Sequence, residues 1–84
     1  MEKYRPHSNM FEPATYSISI LGILEKKWSD YYGGMTIEHA TVLDQYPMTI
    51  LTGILTDQAA LIGILNSLYD SGYPIISVEC VEAR

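Results

Sequence analysis

The chain contains few side chains that could bind a metal or act as a nucleophile. The candidates His7, His39 and Cys80 are scattered along the sequence, with neither HxxH nor CxxC spacing. The sequence also contains no GxGxxG, Walker A or GxSxG pattern, which would indicate a nucleotide site or an activated serine. Cys80 and His39 stand on different predicted strands and are expected to lie far apart, and Cys80 is interpreted as a small buried side chain. We therefore predict no metal, no cofactor and no catalytic residue.

Asp57 and Gln58 form the most suggestive polar pair. They stand at the predicted start of the longest helix, just after a strand that contains Gly53. Free amides at a helix N-terminus can bind anions, but the Asp57 carboxylate would repel them. Aspartate is also a good N-cap residue. We interpret the pair first as a structural cap and second as a contact to a ligand or partner subunit near Gly53.

His39, on a predicted strand beside Glu38, could act as a general base if it faced a pocket. A single histidine on a strand is more often a structural residue or one exposed to solvent. The sequence therefore gives His39 two interpretations, and the structural one is favoured.

An aromatic cluster, Trp28, Tyr31 and Tyr32, has the three- and four-residue spacing that a helical turn would place on one face. Beside Lys26 and Lys27, these rings could form a stacking site for a ligand. Aromatic side chains also supply much of the buried area in a small core. We favour the interpretation that the cluster anchors the core.

Four segments have the pattern of strands. Alternation is clearest in the first, where Tyr16, Ile18 and Ile20 are separated by serines. Pro47 marks the short turn between the second and third segments, which predicts an antiparallel hairpin. The predicted strands are 15–24, 35–43, 48–55 and 75–81.

The segment 57–71 is predicted to be an amphipathic helix. Thr56 or Asp57 can cap its start, and Gly72 followed by Pro74 ends it. Gly63 in its interior costs about 1 kcal/mol relative to alanine. Close packing of the helix on the sheet is the favoured reason for Gly63, and a backbone surface left bare for a ligand or partner is the alternative.

A short helix or turn at 25–32 completes the order strand, helix, strand, strand, helix, strand. This is the β-α-β-β-α-β order of ferredoxin-like folds. We predict an α+β sandwich in which both helices lie on one face of a four-stranded antiparallel sheet. Right-handed crossovers place the first and third strands in the middle. Residues 1–14 are predicted to be an ordered arm or a loose tail, and residues 15–84 a single domain.

Composition excludes several classes of protein. The chain has 84 residues, a net charge of −5 and only five lysines and arginines, which argues against binding to nucleic acid or to an anionic membrane surface. No apolar run approaches the length of a membrane span, and the first residues do not resemble a signal peptide. One cysteine excludes an internal disulfide. We expect a cytoplasmic protein.

The stretch from Leu51 to Leu65 reads L-x-G-x-L-x-D-Q-A-A-L-x-G-x-L. It resembles a family of small, functionally uncharacterised prokaryotic proteins, and the resemblance spans about residues 16–78. In that family a tryptophan segment and a glycine turn precede the motif and a strand ending near Ser-Val follows it. The matching residues are Trp28, Gly33-Gly34 and Ser77-Val78. The resemblance implies no activity. A histidine is common in that family where Ile62 stands, so any role of that histidine is absent here.

The sheet face opposite the helices is predicted to be unusually apolar, because the third strand offers aliphatic side chains on both of its sides. Exposed apolar patches usually mark an interface, so we predict a homo-oligomer through this open face. A monomer whose N-terminal arm covers the face is the alternative.

Two classes of function follow from these patterns. The leading hypothesis is a non-catalytic, oligomerising interaction or regulatory module, with any ligand near Gly53, Asp57 and Gln58. The second is a small ferredoxin-like dimeric enzyme with a pocket near His39 and the aromatic cluster, to which Tyr16 could also contribute. A partner protein could also occupy the interaction surface of the module.

Overall fold

A computed structural model describes residues 12–83, and side chains for residues 12–82. The predicted N-terminal arm therefore lies outside the described residues, except for its last three. His7 lies outside them as well.

The protein is an α+β structure with a four-stranded antiparallel sheet. Its strands are β1, Ala14–Leu21; β2, Thr36–Val42; β3, Tyr46–Leu55; and β4, Ile75–Ala83. They are arranged in the order β2-β3-β1-β4, and every neighbouring pair is antiparallel. The first and third strands occupy the middle of the sheet, as the sequence predicts.

The helix α1, Gln58–Asp70, is capped at both ends by the residues that the sequence indicates. The Asp57 carboxylate accepts a hydrogen bond of 2.9 Å from the Ala60 amide, which makes Asp57 the N-cap. At the other end, the amide of Gly72 donates to Tyr69 and the amide of Tyr73 donates to Leu68. These two bonds form a Schellman motif, which Gly72 accommodates with a φ of 91°.

The first connection, residues 22–35 between β1 and β2, contains a 3-10 helix, Lys26–Trp28, and no α-helix. The described residues therefore include a single α-helix. The turn continues after the 3-10 helix and ends at Gly33 and Gly34, which both take a positive φ of 72°. Ser29 closes the loop by donating a hydrogen bond of 2.6 Å to the carbonyl of Met35. The sequence predicts two helices on one face of the sheet. The structure has α1 there, and this 3-10 turn takes the place of the first helix.

One face of β1 forms the centre of the core. Its side chains alternate between buried and half-buried along the whole strand, and Ile18 and Ile20 are fully buried. Ile64 and Leu68 of α1 pack on the same cluster. Burial of each such aliphatic side chain stabilises the fold by about 1.5–3 kcal/mol. This packing places α1 over one face of the sheet and leaves the other face without a helix.

Two glycines of the sequence motif have different roles. A Cβ on Gly53 would lie 3.2 Å from the Cα of Met35, so the bare backbone at Gly53 permits close packing of the chain. A Cβ on Gly63 would have no atom within 4 Å. The favoured interpretation that Gly63 packs the helix on the sheet is therefore wrong, since Gly63 lies on the exposed side of α1.

None of the helices in residues 12–83 is both long enough and apolar enough to cross a membrane.

Candidate functional site

An aromatic pocket lies between the first connection and the C-terminal end of α1. Its volume is about 390 Å³, within the range of small-molecule sites. The residues that line it carry no formal charge. We call this site the aromatic pocket, and its lining is Leu24, Trp28, Tyr31, Tyr32, Ser71 and Tyr73.

The 3-10 turn and the residues after it form the outer wall. Trp28 is 45% exposed and Tyr31 is 66% exposed, whereas Tyr32 is only 4% exposed. The Tyr31 ring stands edge to face against both neighbours, with centroids 6.0 Å from Trp28 and 4.9 Å from Tyr32. The predicted core anchor is therefore correct for Tyr32 and wrong for Trp28 and Tyr31, whose rings remain accessible.

The Schellman motif of α1 forms the opposite wall. It turns the chain so that Ser71 and Tyr73 line the pocket. The Tyr73 hydroxyl donates to the carbonyl of Ile23 at 3.2 Å, which fixes the ring beside the first connection. Gly22 lets the two segments approach, because a Cβ there would lie 3.2 Å from the Tyr73 ring.

Two side chains of the sheet hold the floor of the pocket in place. Thr49, fully buried on β3, accepts from the Leu24 amide at 3.0 Å and donates to the Gly22 carbonyl at 2.8 Å. The Nε2 of His39 on β2 lies 2.7 Å from the Leu24 carbonyl. A carbonyl can only accept, so this nitrogen carries the proton. His39 and Thr49 are neighbours across the β2–β3 ladder, and together they position Leu24.

The histidine itself does not line the pocket. Its Nε2 proton is committed to a backbone carbonyl, which leaves Nδ1 as the only ring nitrogen able to accept a proton. This geometry makes His39 a positioning residue for the floor of the pocket. It gives no direct support to a general base acting inside the pocket.

A cation lies beside the Trp28 ring of the pocket. The Lys27 ammonium is 5.8 Å from the centroid of the Trp28 ring, within the distance of a cation–π contact. The same ammonium is 3.3 Å from the Glu25 carboxylate, and both side chains are exposed. Such an exposed ion pair is weak, so it leaves Lys27 free to move away from the ring.

The ligand candidates Gly53, Asp57 and Gln58 lie elsewhere in the fold. Asp57 caps the N-terminal end of α1, whereas Ser71 caps its C-terminal end, about 20 Å away at 1.5 Å per residue. The Asp57 carboxylate is occupied by the Ala60 amide, and Gly53 is covered by Met35. The structure therefore does not bring these residues together with the aromatic pocket.

Cys80 lies on β4 and His39 on β2, the two opposite edges of the sheet. The prediction that they are far apart is confirmed. Cys80 is exposed, so its interpretation as a small buried side chain is wrong; it lies on an edge strand, which has a neighbouring strand on one side only. Residues 12–83 contain no group of three or more potential metal ligands.

Sequence reasoning did not identify Leu24, Ser71 and Tyr73 as site residues. One signal for Tyr73 was present in the sequence. It follows Gly72, and an apolar residue directly after a C′ glycine usually contacts the last turn of its helix. Nothing in the sequence relates this position to Trp28, which lies in another part of the chain.

A family model described as "Domain of unknown function (DUF8691)" matches residues 15–79. No curated protein and no solved structure matches the chain.

Proposed function

The chain belongs to the DUF8691 family, and we propose that it is a non-catalytic module that self-associates and binds a small ligand. The observation that carries the proposal is the sheet face opposite α1, on which neither α1 nor the 3-10 turn packs. We call it the open sheet face. The aromatic pocket supports the ligand-binding half of the proposal.

The open sheet face has an apolar patch formed by two neighbouring strands, near the end of β1. Leu21 of β1 pairs with Met48 of β3, and Ile50 pairs with Ser19. These aliphatic side chains are only half buried, and Ile54 farther along β3 is 51% exposed. Apolar surface of this kind is stabilised by contact with a second surface.

Polar groups adjoin this apolar patch. Thr15 and Ser17 of β1 also lie on the open sheet face. Glu38 on β2 and Glu79 on β4 lie near its two edges. Such a mixture of apolar and polar surface is usual in a non-obligate interface. We propose that two copies join through this face about a two-fold axis.

The strand order also supports a finer description of the fold. Antiparallel strands in the order β2-β3-β1-β4 suit a ferredoxin-like arrangement in which a 3-10 turn takes the place of the first helix.

The proposal also includes a prokaryotic source, as the sequence resemblance implies, and a cytoplasmic location. The single cysteine is compatible with a reducing compartment.

The alternative function is a small dimeric enzyme that uses the pocket near His39 and the Trp28, Tyr31 and Tyr32 cluster. One observation favours it: His39 holds the backbone of Leu24, which is part of the pocket. The non-catalytic proposal fits the geometry better, because the residues that line the pocket include neither His39 nor a carboxylate.

The test is the native mass of the protein over a range of concentrations, with two matched variants. Ile54 on the open sheet face and Ile62 on α1 are similarly exposed, 51% and 55%. Ile54→Lys puts an unpaired charge into the proposed interface and is expected to weaken the dimer at least tenfold, the equivalent of about 1.4 kcal/mol. Ile62→Lys should leave the dimer unchanged.

The expected native mass is twice the 9.4 kDa of one chain. A 9.4 kDa species at every concentration would refute self-association. A dimer that resists Ile54→Lys but dissociates in Ile62→Lys would place the interface on α1 instead of the open sheet face.

A further inference from the structure

We propose that the aromatic pocket binds a small organic ammonium cation. This inference rests on the ligand-binding half of the proposed function and names the chemistry of the ligand. It is independent of self-association, which involves the opposite side of the sheet.

The lining of the pocket favours a cation over an anion. Four of its residues are aromatic, and Trp28 and Tyr31 are the most accessible of these rings. The face of an aromatic ring is the negative pole of its quadrupole, so a ring face that lines a pocket attracts a cation and repels an anion. Alkylated ammonium ions suit such a site, because their methyl groups also gain from contact with an apolar surface.

The position of α1 also favours a cation in the pocket. Its C-terminal end lies at the pocket, where the cap residue Ser71 is part of the lining. The helix dipole places a partial negative charge at this end, which stabilises a nearby cation. The last turn of α1 contains no basic side chain that could fulfil this role. A bound ammonium ion would supply the missing positive charge.

The charges of the protein support the same conclusion. The chain carries a net charge of −5, so its long-range field attracts cations. Lys27 already places an ammonium group 5.8 Å from the Trp28 ring. This distance is within the range of a cation–π contact, the interaction that a ligand cation would make with the same ring. Lys27 also competes with the ligand for this ring. Removal of its charge should therefore strengthen the binding of a cation and weaken the binding of an anion.

The test is a titration that follows the fluorescence of Trp28, the only tryptophan of the chain. The probe is choline, and the control is its neutral carbon analogue, 3,3-dimethylbutan-1-ol, with sodium chloride added to keep the ionic strength equal. Choline should give a saturable change and bind about tenfold more tightly than the neutral analogue, if one or two rings contribute a desolvated cation–π contact. Equal responses to the two compounds, or no saturable response, would overturn the inference.

Two matched pairs of variants locate and identify the site. Tyr31→Leu should weaken choline binding roughly two- to fivefold. Tyr46→Leu removes another exposed tyrosine, one that does not line the pocket, and should have no effect. Lys27→Gln should strengthen choline binding, because it removes the competing ammonium. Lys26→Gln makes the same change of charge without a ring contact and should have a smaller effect. Weaker choline binding in Lys27→Gln would mean that Lys27 supports the site instead of competing for it, and would overturn the inference.

Failure of this test is distinguishable from failure of self-association. If choline does not bind while the native mass remains that of a dimer, the cation site is refuted and self-association stands. Circular dichroism of each variant confirms that it retains the fold.

Discussion

Replacing Gly63 by alanine is expected to stabilise the protein. Gly63 occupies the middle of α1 and lies on its exposed side. A Cβ at this position would meet no atom within 4 Å, so alanine creates no clash. The substitution removes the conformational freedom that glycine has in the unfolded chain, and this freedom opposes helix formation.

The expected gain is about 0.8–1.0 kcal/mol, the full difference in helix propensity between glycine and alanine. For a domain of this size, such a gain raises the melting temperature by roughly 4–8 °C. Urea unfolding followed by circular dichroism measures the change, and an unaltered m-value would confirm that the denatured state is similar. Protein concentration must be held constant, because self-association would also shift the midpoint.

Gly53→Ala is the matched control from the same sequence motif. Its Cβ would lie 3.2 Å from a backbone atom of Met35, so this substitution should destabilise the protein by about 1–3 kcal/mol. Unchanged or lower stability in Gly63→Ala would refute the reasoning from helix propensity. If Gly63→Ala also lowered the native mass, the bare backbone of α1 would be a contact for a partner.

Two further predictions concern hydrogen bonds that hold the elements in place. Asp57→Ala should destabilise the protein by about 1 kcal/mol, because the Ala60 amide loses its cap; Asp57→Asn should retain most of the stability in the same urea assay. Thr49→Val keeps the shape of the side chain but leaves the Leu24 amide and the Gly22 carbonyl without a partner. It should cost about 1–3 kcal/mol for each unpaired group, and Thr49→Ser should recover most of the loss; a neutral Thr49→Val would contradict the role assigned to Thr49.

Local signals predicted α1 with little error. The predicted helix, 57–71, differs from the observed Gln58–Asp70 only by the cap residues Asp57 and Ser71. Both ends depend on interactions between residues that are close in the sequence, so the sequence alone contains the information. The order of the strands was also predictable, because short connections and right-handed crossovers leave few arrangements of four strands.

The first connection was less predictable. Its aromatic spacing is compatible with a helical face, but the chain makes only a 3-10 turn, Lys26–Trp28. The loop is closed by the hydrogen bond from Ser29 to Met35 and by the positive φ of Gly33 and Gly34. These constraints oppose the continuation of a helix, and spacing alone does not reveal them. For the same reason, the sequence did not establish which aromatic rings are buried.

The sequence by itself determined the class of fold, the position and caps of α1, and the central place of β1 and β3. Only the tertiary structure decided where a ligand could bind. The aromatic pocket combines Leu24 and Trp28 with Ser71 and Tyr73, two segments that meet because Thr49 and Tyr73 donate hydrogen bonds to the first connection. Periodicity and capping describe neighbours along the chain. Contacts between distant segments depend on how the elements pack, so the pocket became visible only in the folded chain.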